Sequence, residues 1–375
     1  MTKDKSILVT QSSLPPFEEY CKEIAGIWET RHLTNMGPKH NELEVGLGKY
    51  LGVDNVTLYT NGHLALENML EAYGVTGEII TTPFTFVSTT NAILRSGLMP
   101  VFCDVKEDDY TIDPEKIEDL ITDRTSAILA VHVYGNVCDD DVVSKIAKKH
   151  NLKVFYDAAH AFGVRKNGVS VATYGDCSMF SFHATKVFNT VEGGALCYKD
   201  GAMKPVLDSY KNFGLDASKD YSVMGGNAKM SEFHAAMGIC NLRHLDGEIL
   251  KRKRVFGIYA SAFDGVEGIK VCVPPADVEH NYAYMPVLFT GAFNRDDVFD
   301  ALAKENVFAR KYFYPLTNRT TWFRKNFVTT QPTPVAEFVS DNVLCLPMYA
   351  GLSDGDAERI ADIVLKSAKH RGEVL

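Results

Sequence analysis

The sequence has no run approaching the roughly 18 consecutive apolar residues that a membrane-spanning helix requires. Its opening, "MTKDKSILVT", lacks the apolar core and cleavage site of a signal peptide. Neither a membrane partner nor secretion is expected, and the cytoplasm is the expected location. No C-x-x-C pair occurs among the eight cysteines, so neither a zinc site nor a disulfide framework is suggested, and the thiols are expected to be reduced and mostly buried. Basic clusters are scarce as well. With a formal net charge of −9, the chain offers the run "KRKR" at 251–254. That run falls in a helix-like stretch and reads as a solvated face, so nucleic acid is not an expected partner. No G-x-G-x-x-G follows a strand, which argues against a dinucleotide-binding enzyme. Internal repeats and low-complexity tracts are also absent.

What is present is the composition of a globular protein, 46% hydrophobic and 23% charged over 375 residues. That length exceeds what one hydrophobic core usually supports and suggests two domains. Between about residues 55 and 200, short runs ("VTLYT", "EIITT", "PVFCD", "AILAV", "KVFYD", "CSMFSF", "GALCY") read as strands. Helical stretches such as "GHLALENMLEAY" and "DDDVVSKIAKKH" alternate with them. This pattern predicts an α/β fold with a mostly parallel sheet and helices on both faces. From residue 230 a long helical stretch follows, with a break suggested near Gly247, and then a less regular α+β pattern with strand-like "AYMPVLF" and helices near 295–304 and 354–367. The expected division is a large domain over 1–250 and a smaller one over 251–375.

Ligand groups in open α/β sheets gather beyond the carboxyl ends of strands. "KVFYDAAHAFG" ends a strand on Asp157, and "SMFSFHATK" runs through Ser181 and His183 to Lys186 just past another strand. Asp157 alone reads equally as a helix cap, and most lysines are solvated. Together, a carboxylate and an amine at one sheet edge suit pyridoxal phosphate (PLP), which needs a lysine to hold it and an acid at its pyridine nitrogen. "LYTNGHLAL" sets Asn61, Gly62 and His63 between a strand and a helix, where free N–H groups favour an anion. Phe84 and Phe86 in "TTPFTFVSTTNAIL" offer aromatic faces or core packing. The glycines of "VEGGAL" let the next strand start without side-chain clash.

The ordered set "TNGHLAL", "TTPFTFVSTTNAIL", "DAAHAFG", "FSFHATKVFNTVEGGAL", "GGNAKMSEFHAAMG" and "YFYPLT" resembles the DegT/DnrJ/EryC1/StrS family of sugar aminotransferases over about residues 34–350. The resemblance implies a fold-type I aminotransferase with a seven-stranded, mostly parallel sheet, PLP/PMP as cofactor, no metal, and a homodimer whose sites are shared between subunits. By motif, Lys186 would form the Schiff base and shuttle the proton, Asp157 would partner the pyridinium and His160 would neighbour the ring hydroxyl. Gly62, His63 and Ser181 would hold the phosphate, Phe86 would stack on the ring, and Asn227 would reach the partner's phosphate. Lys229, Tyr312 and Tyr314 would contact substrate, with Arg31, Arg310 and Lys311 as further cations. The role of Glu192 stays open. The family often has Ser-Gly-Thr where this chain has Asn61-Gly62-His63, leaving open whether His63 acts through its backbone or its ring. Arginine is frequent in place of Lys229. Relatives that lose the lysine to histidine act as dehydratases, but Lys186 is retained. "QSSLPPFEEY" and "ARKYFYPLT" look most like the enzymes that aminate dTDP-4-keto-6-deoxyglucose with L-glutamate, a step of deoxyaminosugar and O-antigen biosynthesis. Amination of 3-keto sugars or keto-cyclitols, and a non-catalytic regulatory role, are the alternatives.

Overall fold

The short β-branched runs pair into one sheet. In the computed structural model, which describes residues 6–328 and 331–368, its strands are β1 (Val56–Tyr59), β2 (Glu78–Thr81), β3 (Met99–Phe102), β4 (Thr125–Val131), β5 (Lys153–Asp157), β6 (Cys177–Ser181) and β7 (Gly194–Tyr198). Their spatial order is β1-β7-β6-β5-β4-β2-β3. All neighbours are parallel except at β7, which runs antiparallel to both β1 and β6. Successive strand residues face opposite sides of a pleated sheet. Accordingly Leu58 and Phe180 join one cluster with Leu43, Leu47 and Phe182, while the adjacent Tyr59 and Met179 join another with Leu66, Met69 and Leu129. Both faces are therefore covered, as the nearly continuous apolar strands require.

The helix Glu232–Phe263 links this sheet to a second core. Ser231 caps it, accepting from the His234 N–H at 3.3 Å. It runs unbroken for 32 residues through Gly247, where the sequence suggested an interruption. A glycine in a helix costs about 1 kcal/mol, which packing on both sides of it outweighs. Ala235, Ile239 and Leu245 are held in the first core, and Val255, Phe256, Tyr259 and Phe263 in the second. The 251–254 run also departs from expectation. Lys251, Lys253 and Arg254 are solvated, but Arg252 is 1% exposed. It lies three and four residues before Val255 and Phe256, on the stripe that faces the core.

The second core surrounds a small antiparallel sheet of β8 (Ile269–Val271), β9 (Met285–Phe289) and β10 (Val343–Leu346), in that spatial order. Helices Arg295–Lys304 and Asp354–Lys366 cover it. Ile7–Leu8 pairs in parallel with Val307–Phe308, so the N-terminal strand packs with this second core. The free cysteines are buried apart from Cys21 and Cys272. Among the described residues no helix is long and apolar enough to cross a membrane.

Candidate active site

Strands β5 and β6 are parallel neighbours with Asp157 opposite Met179, so their carboxyl ends open onto one edge. Asp157 is 5% exposed. Its Oδ2 accepts from the Thr89 hydroxyl at 2.7 Å and its Oδ1 from the Ala159 N–H at 3.1 Å. Burial raises its pKa, while those two hydrogen bonds and the nearby Lys186 pull it back. No helix begins after Asp157, so the helix-cap reading does not apply.

Past β6 the chain turns, with the Lys186 N–H donating to the His183 carbonyl at 2.8 Å, and delivers the Lys186 amine to the same edge. Burial lowers that amine to about 8, partly offset by the Asp157 carboxylate. The neutral form is thus easier to reach near physiological pH than for an ordinary lysine, as a nucleophilic or basic lysine requires. Its Nζ donates to the Tyr284 hydroxyl at 3.3 Å. His160 is buried beside it. The His160 Nδ1 accepts the Tyr134 N–H at 3.0 Å, so the neutral ring carries its proton on Nε2. Burial and the neighbouring Lys186 hold its pKa well below the ordinary value.

The opposite side of the edge is built by close backbone approach. Gly194 pairs in register with both Tyr59 and Ser181. A Cβ on Gly194 would lie 2.7 Å from the Gly62 nitrogen, and one on Gly62 would lie 3.1 Å from the Ser181 Cβ. Glycine is required here by crowding. The helix Gly62–Ala72 opens at this point, its N-cap Asn61 accepting from the Leu64 N–H at 2.9 Å. The N–H groups of Gly62 and His63 precede the first intrahelical bond and are offered, beside the Ser181 side chain, to an anion. The His63 ring is already engaged, Nδ1 with the Ser88 hydroxyl at 2.8 Å and Nε2 with Glu67 at 3.1 Å. Both ring nitrogens of His63 are thus engaged within the protein.

Phe84 is core, whereas Phe86 is 52% exposed. Phe86 lines a cavity of about 460 Å³ together with Arg310, Tyr312, Tyr314 and Thr320. Arg310 lies 4.6 Å over the Tyr312 ring and Arg295 4.9 Å over that of Tyr314. Lys311 pairs with Asp296 at 2.7 Å. Phe313, which also lines the cavity, stacks on His160 and Tyr134 with ring centroids 5.8 and 6.0 Å apart.

Asn227 and Lys229 make their contacts elsewhere. Asn227 bridges to Asn212, and Lys229 donates to the Asn212 side chain at 2.7 Å and lies 4.6 Å over the Phe213 ring. Ala228 between them is buried, its carbonyl accepting the Thr60 N–H at 2.8 Å, while Asn227 is exposed. The alternation turns Asn227 away from its own sheet. Glu192 is exposed and faces His183 at 3.8 Å. Sequence reasoning missed Thr89, Tyr134 and Tyr284. Thr89 is one threonine among several in its stretch, and Tyr284 sits in a run that reads as core strand. The described residues contain no group of three or more His, Cys, Asp or Glu placed to hold a metal ion.

Sheet order and strand-end chemistry together define a fold-type I aminotransferase. More particularly, the chain belongs to the DegT/DnrJ/EryC1/StrS aminotransferase family, whose profile matches residues 17–365. It is 42% identical over 363 residues to a dTDP-4-amino-4,6-dideoxy-D-glucose transaminase of Shigella dysenteriae, spanning 96% of this chain and 99% of that protein. A protein of the same description from Escherichia coli is 41% identical over 368 residues, with 96% and 99% covered. Among solved structures, DesI in the presence of its TDP-sugar product matches with a TM-score of 0.93 at 32% identity, over 97% of this chain and 93% of that one. Helicobacter pylori PseC, an aminotransferase involved in the biosynthesis of pseudoaminic acid, matches with a TM-score of 0.91 at 27% identity, over 97% and 99%.

Proposed function

We propose that this chain is a PLP-dependent aminotransferase that moves an amino group from L-glutamate onto C4 of dTDP-4-keto-6-deoxy-D-glucose. The observation that carries the reading is the meeting of a lysine amine, lowered to about 8, and a buried aspartate at one sheet edge. The substrate follows from the relatives that are 42% and 41% identical. The residues present fit the cofactor: Gly62 and Gly194 let β7, Ser181 and the start of the helix Gly62–Ala72 close up on one another, and the helix N–H groups gathered there with Ser181 suit a phosphate. Asp157 is a buried carboxylate whose ionised form lacks a full counter-charge, which a protonated pyridine nitrogen would supply. When bound, PLP supplies the electron sink that makes proton loss from the amine-bearing carbon accessible.

The protein's own work is then positional and acid–base. Asp157, oriented by Thr89 and Ala159, keeps a proton on the ring nitrogen. Lys186 would hold the cofactor, and its amine, once free, would carry a proton on Nζ between the two reacting centres. His160, its tautomer set by Tyr134, would offer its Nε2–H as a donor to the cofactor's ring. Phe86 supplies the stacking face, and Tyr312, Tyr314 and Arg310 contact the nucleotide sugar.

The reading includes a homodimer with shared sites, Asn227 and Lys229 serving the partner. Large apolar side chains left exposed on the single chain support it: Phe17 and Trp28 on the helix Phe17–Thr30 with Leu33 just past it, and Phe213, Tyr221 and Met224 before Asn227. Incubation with glutamate and a panel of keto sugar nucleotides, with product NMR, tests the substrate. The expected product carries the amine at C4 of the dTDP sugar. Amination at C3, or preference for a cyclitol without a nucleotide, would overturn the substrate while leaving transamination standing.

A further inference from the structure

Tyr284 immediately precedes β9, so it belongs to the small sheet, yet its hydroxyl takes the hydrogen bond of the Lys186 amine at 3.3 Å. Its ring is fixed on three sides. The centroids of His160, Tyr134 and Tyr312 lie 4.5, 5.7 and 6.0 Å away. A phenol so braced cannot follow a mobile lysine; the lysine must come to it. Lys186 is long and flexible, and in the proposed reaction it spends part of each cycle detached from the cofactor. An unheld amine would then sample rotamers in which Nζ faces away from the carbon it must deprotonate.

We propose that Tyr284 is a positioning residue of this site, a fixed acceptor for the Lys186 amine whenever that amine is free. The inference rests on the reading of Lys186 as the reacting amine. The proton taken from substrate is held on Nζ until it is delivered to the second reacting centre, and in between the phenol oxygen accepts a hydrogen bond from the resulting ammonium without being ionised. Burial and the nearby Cys345 and Asp157 push the phenol's ionisation up, while Arg252 on the long helix and Arg310 beside the cavity pull it down. With His160, Asp157 and the phenols of Tyr134 and Tyr312, these are the titratable and charged groups facing the Tyr284–Lys186 pair among the described residues. Because the acceptor favours the charged amine, the contact also raises the proton affinity that burial has lowered.

The test is Tyr284→Phe, which keeps the ring and its packing, with Tyr284→Leu as the packing control. A hydrogen bond to a charged group predicts a fall in kcat of roughly 10- to 100-fold with little change in either KM. A second readout does not depend on turnover. The full chain freed of cofactor is treated with a small acylating ester across pH, and Lys186 acylation is followed by peptide mass spectrometry. Its midpoint should shift to lower pH by roughly one unit in Tyr284→Phe, with melting unchanged. An unshifted midpoint with near-normal kcat overturns the proposal, as does a normal Phe variant beside an impaired Leu variant, which would assign Tyr284 to packing. Borohydride reduction of the wild-type holoenzyme separates the two readings. If the cofactor is not found on Lys186, the reading of the amine fails; if it is, and the Phe variant behaves as wild type, the role of Tyr284 alone fails.

Discussion

At the residue scale the account turns on two ionisable groups held away from their ordinary pKa values. Lys186→Ala removes the amine that we propose holds cofactor and moves the proton, and turnover is expected to be abolished while cofactor still binds without a covalent link. In the wild type, attachment needs the neutral amine, so its rate measured by absorbance should rise through about pH 8, rather than near the ordinary lysine value of 10.5. Asp157→Asn should lower turnover by roughly 10²-fold or more, since an unprotonated pyridine accepts electrons poorly. Its effect on stability has the opposite sign. Burial raises the carboxyl above 3.8, so in the cofactor-free fold ionisation is disfavoured, and the penalty is present above the folded pKa and absent well below the unfolded one. The asparagine variant should therefore melt at the same or a higher temperature at neutral pH, with any advantage closing as pH falls. Asp157 and Lys186 were legible because each ends a strand-like run. Thr89 was not, because nothing in a string of threonines says which one faces a carboxylate 68 residues away.

At the element scale, the site depends on how closely β7 approaches the turn after β1. Gly194→Ala drives a Cβ against backbone at 2.7 Å, which cannot yield, whereas Gly62→Ala first meets the flexible Met179 side chain at 3.0 Å. Overpacking of this kind costs about 1–3 kcal/mol. Urea unfolding should rank Gly194→Ala as the more destabilised of the two, and phosphate-dependent cofactor affinity should fall with it. The strands and the helices at 62–72 and 140–150 were readable from period and turn chemistry. The long helix was readable in position but not in continuity. Gly247 signals a break locally, and the burial that overrides it lies on either side, in two different cores. Arg252 was misread for a related reason, since four charges in a row conceal that one of them falls on the buried stripe.

At the scale of the whole molecule, we propose that the chain divides near residue 250, with Ile7–Leu8 crossing back to the second core. We also propose that two copies complete each other's sites. Lys186→Ala mixed with an inactive Asn227 variant should regain activity on subunit exchange, because mixed dimers hold one site with both residues intact. No recovery after demonstrated exchange would count against Asn227 acting in the partner. The proposed dimer is the part least visible in the residues themselves, because exposed apolar residues such as Trp28 and Met224 look like ordinary surface until the fold leaves them uncovered. The central claim, that one lysine at the end of β6 carries the cofactor, is tested most directly by reducing the holoenzyme with borohydride and mapping the pyridoxyl group by peptide mass spectrometry. The account predicts the label on Lys186 and its loss when excess glutamate is added before reduction; a label on any other lysine, or one that glutamate does not displace, would contradict it.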